Sequence, residues 1–146
     1  PGWADFGGGA ETGESHLDTA LREGSEEING FLGSMEQLRK QVKKHKVATI
    51  KFKEYSTYIF KMDFDENLPF YYKNNNGLLE KAKIKWFSYD ELKKQKKDFR
   101  SFYQNIVDLI LKEEKNITNK MIKHCKTKKC REKLKQKIRK SIKNKK

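Results

Sequence analysis

A glycine cluster followed by a two-faced helical pattern limits the folding of this chain more than any other feature. The three glycines at residues 7–9 permit backbone conformations that other residues avoid. Ser15 with Asp18 three positions later predicts the capped start of a helix. One face of that helix is an apolar stripe, made of Leu17, Ala20, Leu21, Gly24 and Ile28. The opposite face gathers three acidic residues within about one third of the circumference, namely Glu23, Glu26 and Glu27.

The rest of the first 113 residues alternates between strand and helix patterns. Residues 47–64 are rich in β-branched and aromatic residues, which predicts two strands joined near residues 53–56. Strands are also predicted at residues 3–7 and 79–87. Helices are predicted at residues 34–44, after a cap formed by Ser88 with Glu91, and at about 98–113. This order predicts an α/β fold in which a mixed β-sheet is sandwiched by helices.

The positive charge is confined to the C-terminal end. The net charge is +14, yet residues 1–114 carry 19 basic residues against 19 acidic ones, whereas residues 115–146 carry 15 against Glu132 alone. The sequence therefore divides into a domain over residues 1–113 and a basic tail over residues 114–146. A thin apolar stripe predicts that this tail is helical when bound, or loosely ordered alone; it consists of Ile117, Met121, Leu134, Ile138 and Ile142.

The acidic helix face calls for a counter-charge, because like charges at helical neighbour spacing repel one another. Carboxylate oxygens suit Mg²⁺ or Mn²⁺, and Mg²⁺ takes one or two carboxylates beside waters and substrate phosphates. The alternative is a solvated face that pairs with lysines elsewhere in the chain.

The spacing of these charges resembles a family motif. Gly8 is followed by Glu14, then by Arg22 and Glu23, then by Glu26 and Glu27, at the intervals of the Nudix box Gx5Ex7REUxEExGU. Residues 78–92 resemble the strand and helix that close the Nudix core, and residues 98–110 resemble its terminal helix. The resemblance covers roughly residues 1–113. The glycine-rich start and the Lys/Asn-rich body are also similar to Nudix proteins of large cytoplasmic DNA viruses.

The resemblance implies metal-dependent hydrolysis of a nucleoside diphosphate linked to another group, with water attacking phosphorus. By position, Glu26 and Glu27 would be the principal metal ligands and the Gly7 carbonyl a further one. Glu23 would be another ligand or the base that orients the water.

Three more residues receive supporting roles from the resemblance. Arg22 would brace the carboxylates, and Glu14 would support the loop, with support of an outer metal as a further option. Glu80, six residues before Trp86, stands where several Nudix enzymes keep a glutamate near the metals, as ligand or base. The alternative for Glu80 is a solvated loop residue.

The chain departs from the family pattern at several positions. Gly24 replaces an aliphatic residue, Asn29 replaces the glycine at the helix end, and Gly9 stands where many members have lysine. Only residues 1–6 precede the box, where Nudix domains place strands that build the substrate pocket. A fragment of a longer chain is therefore expected.

The tail predicts contact with a phosphate backbone, RNA above all, while another anionic partner or none are the alternatives. The residues predicted to make this contact are Lys126, Lys128, Lys129, Arg131, Lys133, Lys135, Lys137, Arg139 and Lys140.

Two functions are compatible with these features. One is a Nudix pyrophosphohydrolase that cleaves a nucleoside diphosphate linkage, with the cap or 5′-diphosphate end of RNA as the first candidate substrate and free nucleotides or diphosphoinositol phosphates as alternatives. The other is a non-catalytic nucleic-acid-binding or virion structural protein on a Nudix-derived scaffold. No apolar run approaches the roughly 18 residues of a membrane span. Cys125 and Cys130 are too few to staple a secreted domain, which predicts a reducing, cytoplasmic setting. A zinc site with His124 is disfavoured, because a five-residue separation does not place both sulfurs on one helix face.

Overall fold

The structure is a computed structural model that describes residues 2–27, 33–63, 66–69, 83–125 and 127–143. Within those ranges, the helices are α1 (His16–Glu27), α2 (Met35–His45), α3 (Tyr89–Lys94), α4 (Ser101–Lys112), α5 (Glu114–Lys123) and α6 (Lys128–Lys143). The strands are β1 (Lys46–Phe52) and β2 (Tyr55–Phe60), and a 3-10 turn spans Lys96–Asp98. No helix in this part of the chain is long and apolar enough to cross a membrane.

Side-chain caps set the helix starts, as the sequence predicts. At α1, Ser15 Oγ accepts from the Asp18 N–H at 3.1 Å and donates to Asp18 Oδ2 at 2.8 Å. At α3, Ser88 Oγ accepts from the Glu91 N–H at 3.1 Å. Each bond satisfies a backbone donor that the first helical turn leaves without an intrahelical partner.

The predicted strand pair is a β-hairpin. β1 and β2 are antiparallel, with Thr49 opposite Tyr58 and Phe52 opposite Tyr55. Lys53 takes a left-handed conformation (φ 52°) in the tight turn between the strands. The prediction of two strands joined near residues 53–56 is confirmed.

Helices pack on both faces of this hairpin. On one face, Ile50 joins α4 in a buried cluster, whose other members are Phe99, Tyr103, Ile106 and Val107. On the other face, Tyr58 and Phe60 pack against Leu21 of α1 and Leu38 and Val42 of α2. Burial of each large apolar side chain contributes about 1.5–3 kcal/mol. The helix–sheet–helix layering confirms the predicted α/β fold class.

Two predicted strands differ from the structure. Residues 3–7 form no strand; instead Trp3 makes an isolated parallel bridge with Phe99, in which the Trp3 N–H donates to Asp98 O and the Arg100 N–H donates to Trp3 O, both at 2.9 Å. Residues 83–87, the described part of the predicted strand at 79–87, are also not a strand. Lys85 lies over the Phe87 ring and pairs with Glu91, so the segment is held by side-chain contacts.

The beginning of the predicted tail packs against the body. Ile117 of α5 is only 1% exposed, and α5 contacts β1 and α4. Net charge changes sharply near residue 113, but the packing of the body continues into α5. The domain boundary at residue 113 stays a prediction.

Cys125 and Cys130 form a disulfide, with their Cα atoms 5.6 Å apart. The reducing setting expected from the cysteine count would leave both thiols free, whereas here they are paired; the setting itself stays a prediction. The helix-face argument does not apply to this pair because α5 ends at Lys123 and α6 begins at Lys128, so the chain turns between the two cysteines.

Candidate active site

Arg22 organises the acidic face of α1. Its Nε donates to Glu14 Oε2 at 2.9 Å, and its Nη1 donates to Glu23 Oε1 at 3.0 Å and Glu26 Oε2 at 3.1 Å. Its Nη2 donates to Glu14 Oε1 and to the Gly9 carbonyl, both at 3.1 Å. One guanidinium therefore connects three carboxylates to the glycine loop. A planar fork with five donors can make such a set of bonds, whereas a lysine ammonium cannot.

Glu14 is held in its ionised form. Its carboxylate receives the Arg22 bonds, and Oε1 also accepts from the Glu11 N–H at 2.7 Å. These bonds, with Arg22 as the largest cause, lower the pKa of Glu14 from 4.5 to about 2. The same contacts raise the pKa of Arg22. Glu14 thus anchors the loop before α1 at all pH values near neutrality.

Glu27 points away from this network. Its side chain is buried, at 6% exposure, and Oε2 accepts a hydrogen bond from the Gly7 N–H at 2.9 Å. A carboxylate at this depth needs such donors to offset the loss of water. The bond fixes the first residue of the glycine loop to the last turn of α1.

Gly8 allows the loop to approach α1 closely. A β-carbon placed on Gly8 would overlap the carboxylate of Glu23, whereas one on Gly9 would meet nothing within 4 Å. Glu23 therefore lies directly against the loop backbone. A side chain at Gly8 would therefore displace the Glu23 carboxylate, whereas one at Gly9 would not.

A second polar cluster lies beside the loop. Thr57 Oγ1 of β2 donates to Asp5 Oδ2 at 3.0 Å, and the Tyr103 side chain of α4 also hydrogen-bonds Asp5. Asp5 is exposed as a residue, but its carboxyl group meets two buried side chains. Withdrawal of this group from water raises the pKa of Asp5 to about 6, and that of Tyr103 is also raised by burial. Sequence reasoning missed this cluster because 52 residues separate Asp5 from Thr57.

The described residues contain no group of three or more Asp, Glu, His or Cys side chains that could by itself hold a metal ion. Glu23 and Glu26 meet at one Arg22 nitrogen, while Glu27 turns toward Gly7. However, Glu23 Oε2 and Glu26 Oε1 accept no hydrogen bond from any described residue. A pair of carboxylates is the number that Mg²⁺ takes when phosphates and waters complete its shell, so the donor chemistry fits such an ion.

The other predicted site residues fall in different parts of the chain. Glu80 and Lys126 lie outside the described residues, as do the side chains of Lys137, Arg139 and Lys140. The remaining predicted contacts to nucleic acid are exposed on α6, namely Lys128, Lys129, Arg131, Lys133 and Lys135. They are not part of the α1 network.

Comparison with known proteins gives one match. The family model described as NUDIX domain matches residues 1–110, which is most of the chain and includes the glycine loop, α1 and the hairpin. Neither a curated protein nor a solved structure matches the chain.

Proposed function

The chain belongs to the Nudix family, a hydrolase family that acts on nucleoside diphosphate derivatives, and from that premise we propose that it hydrolyses a diphosphate linkage with the help of a divalent metal ion bound at α1. The observation that supports the proposal is the placement of the Glu23 carboxylate against Gly8, held there together with Glu26 by Arg22.

Glu23 and Glu26 would hold the ion, because each keeps one carboxylate oxygen without a hydrogen bond to a described residue. When bound, a divalent ion polarises phosphoryl oxygens and lowers the pKa of a bound water. Hard oxygen donors favour Mg²⁺ or Mn²⁺ over softer metals.

The protein's own residues orient this site. Arg22 fixes the direction of both carboxylates, and it joins them to the Gly9 carbonyl. Glu27 fixes the loop from the other side through the Gly7 N–H. Neighbouring groups of this kind commonly change metal affinity or activity by about 10–100-fold when they are removed.

The substrate that suits the whole chain is the capped or 5′-diphosphate end of an RNA. The exposed cations of α6 would attract a phosphate backbone while the α1 site acts on the terminal diphosphate bridge. Free nucleotides would be bound without help from these cations.

One observation favours a second candidate, a non-catalytic nucleic-acid-binding or virion structural protein. Arg22 already forms salt bridges with Glu14, Glu23 and Glu26, so the acidic face has a partial counter-charge without a metal ion. In that case the network would serve only to hold the loop on α1.

The experiment that separates the two candidates measures the release of nucleoside monophosphate with Mg²⁺ from capped RNA and from free dinucleotides. Glu23→Gln and Glu26→Gln are compared with Glu36→Gln, a glutamate of α2 whose side chain is 73% exposed and whose salt-bridge partner is Arg39. We expect at least about 10-fold loss in the two α1 variants and wild-type rates in the control. Equal rates in all four proteins would reject the catalytic role of α1.

A further inference from the structure

A broad groove of about 1160 Å³ lies between α2, the chain leaving β2 and the junction of α5 with α6. α2 contributes Lys40, Lys43 and Lys44, and Lys61 follows the end of β2. The Lys61 N–H donates to the His45 carbonyl at 2.9 Å, which ties the end of β2 to the end of α2. The groove therefore has a fixed basic wall built from two elements.

The charge of this wall is only partly balanced within the described part of the chain, where Lys43 interacts electrostatically with Asp18 of α1. None of the four lysines makes a salt bridge with a described residue, and Asp63 is the acidic residue among the groove's described lining. Lys40, Lys43 and Lys44 share one helix face, where like charges repel one another. A cleft lined mainly by positive charges raises the local concentration of anions.

A helix C-terminus explains part of this pattern but not all of it. Lys43 and Lys44 lie in the last turn of α2, where cations interact favourably with the helix dipole. Lys61 is outside any helix, and Lys40 precedes the last turn, so the dipole does not account for them. The lysines share the groove rather than a helix end.

The opposite wall connects the groove to the basic tail. His124, Thr127 and Cys130 line it, and the centre of the His124 ring lies 6.1 Å from that of the His45 ring, so the two walls meet at an edge-on ring contact. The disulfide of Cys130 with Cys125 fixes the first turn of α6 beside this wall. Lys128 and Lys129 are exposed on that same turn, so the positive surface continues from the groove onto α6.

We propose that this groove binds the phosphodiester backbone of a nucleic-acid strand. A row of lysines without a salt bridge to any described residue can neutralise successive phosphates without reading sequence. Phe60 and Met62 also line the groove and offer apolar surface to bases or sugars. The site is separate from α1, and binding there needs no hydrolysis.

Fluorescence anisotropy with a 15-nucleotide oligo-U and a 15-nucleotide oligo-dT, both with 5′-hydroxyl ends, tests the proposal on the full chain. These strands carry no terminal diphosphate, so they cannot be substrates for the proposed hydrolytic site on α1. Lys43→Gln/Lys44→Gln is compared with Lys93→Gln/Lys94→Gln, an exposed pair in the last turn of α3 that does not line the groove. The two variants lose the same charge at the same kind of helix position.

We expect the groove variant to lose about 10-fold in affinity at 0.15 M salt, with a salt slope smaller by about 1.4, because two phosphate contacts are removed. The control should lose less than about twofold. A second groove variant, Lys40→Gln/Lys61→Gln, should reproduce the loss. Binding of both strands assigns a general phosphodiester site, and preference for one strand identifies that strand as the partner.

Equal losses in the groove and control variants overturn the proposal. A loss confined to vesicles that contain phosphatidylserine, with unchanged oligonucleotide binding, also overturns it and assigns the groove to a lipid surface. Turnover of a free dinucleotide is measured in parallel and should be unchanged in the groove variant. Absence of turnover in the wild type would reject the hydrolase proposal. The anisotropy result would still show whether the groove binds nucleic acid.

Discussion

The carboxylate of Glu23 fills the space in which a side chain at Gly8 would begin. The two residues are 15 positions apart in the chain, and the Arg22 guanidinium holds the carboxylate in place from the other side. The position of Glu23 is therefore set jointly by the loop backbone and by α1. A substitution at Gly8 therefore tests whether the position of the Glu23 carboxylate matters for the reaction.

Gly8→Ala is expected to reduce hydrolysis by more than about 10-fold, because the new methyl group displaces the Glu23 carboxylate from Arg22. The displaced group is the end of a flexible side chain, so we expect the free energy of unfolding to change by less than about 1 kcal/mol. Initial rates with free dinucleotides and urea denaturation measure the two effects.

Gly9→Ala is the matched control for the Gly8 substitution, since a β-carbon there meets nothing within 4 Å. We expect it to keep wild-type activity. Equal activity of the Gly8 and Gly9 variants would show that the Glu23 position does not matter for the reaction.

Arg22→Lys is expected to lower activity by about 10–100-fold while the charge stays the same. A lysine offers a point charge and cannot bridge Glu14, Glu23, Glu26 and the Gly9 carbonyl together. The apparent Mg²⁺ requirement should also shift, because the carboxylates lose their fixed direction. Both quantities come from rates measured across a magnesium titration.

Arg39→Lys tests whether this effect is specific to the α1 network. Arg39 also pairs with two acidic residues, Asp18 at 2.7 Å and Glu36 at 3.5 Å, but its contacts lie outside the glycine loop. We expect less than about a twofold change in rate. A comparable loss in both variants would mean that Arg22 acts only through general stability.

Features that depend on neighbouring residues could be predicted from the sequence. Features that depend on contacts between distant segments could not. The caps at Ser15 and Ser88 and the hairpin follow from residues within a few positions of one another, so pattern and propensity suffice. The Trp3–Phe99 bridge joins segments almost 100 residues apart, and the residues near Trp3 do not predict it.

The candidate site shows the same division. The motif spacing predicts that Glu23, Glu26 and Glu27 lie on one helix, yet it does not show that Glu27 turns inward to the Gly7 N–H. That direction depends on how the loop folds back over α1. The disulfide was not predicted either, because the number of cysteines does not show that the turn between α5 and α6 brings the two together.

The disulfide predicts that protein purified without reductant carries no free thiol. After denaturation, iodoacetamide should add no label, and after reduction it should add two, at Cys125 and Cys130. A disulfide that closes so short a loop removes little conformational entropy from the unfolded chain. Reduction should therefore lower the free energy of unfolding by about 2 kcal/mol or less. Mass spectrometry and urea denaturation measure these outcomes.

Cys130→Ser serves as the control for thiol counting, since it should accept one label at Cys125 with or without reductant. Two labels on unreduced wild-type protein would contradict the disulfide. Glutathione and thioredoxin keep most cytosolic thiols reduced, so the disulfide forms only where the redox conditions are more oxidising.

Asp5→Asn is expected to become more stable relative to the wild type as the pH rises from 4 to 7.5. Burial of the carboxyl group raises the pKa of Asp5 from 3.8 to about 6, so the folded wild type binds this proton more tightly than the unfolded chain does. The contribution of Asp5 to the free energy of unfolding of the wild type therefore falls between about pH 4 and pH 6 and is level above that. The asparagine amide cannot ionise, and its oxygen can still accept the Thr57 hydrogen bond.

The full pKa difference corresponds to about 3 kcal/mol, and because Asp5 is partly open to water we expect about 1 kcal/mol of it. Urea denaturation at pH 4, 5, 6 and 7.5 measures the difference between variant and wild type. A constant or falling difference for Asp5→Asn would mean that the carboxyl group is solvated in the folded protein, and the buried contact with Thr57 and Tyr103 would then not hold.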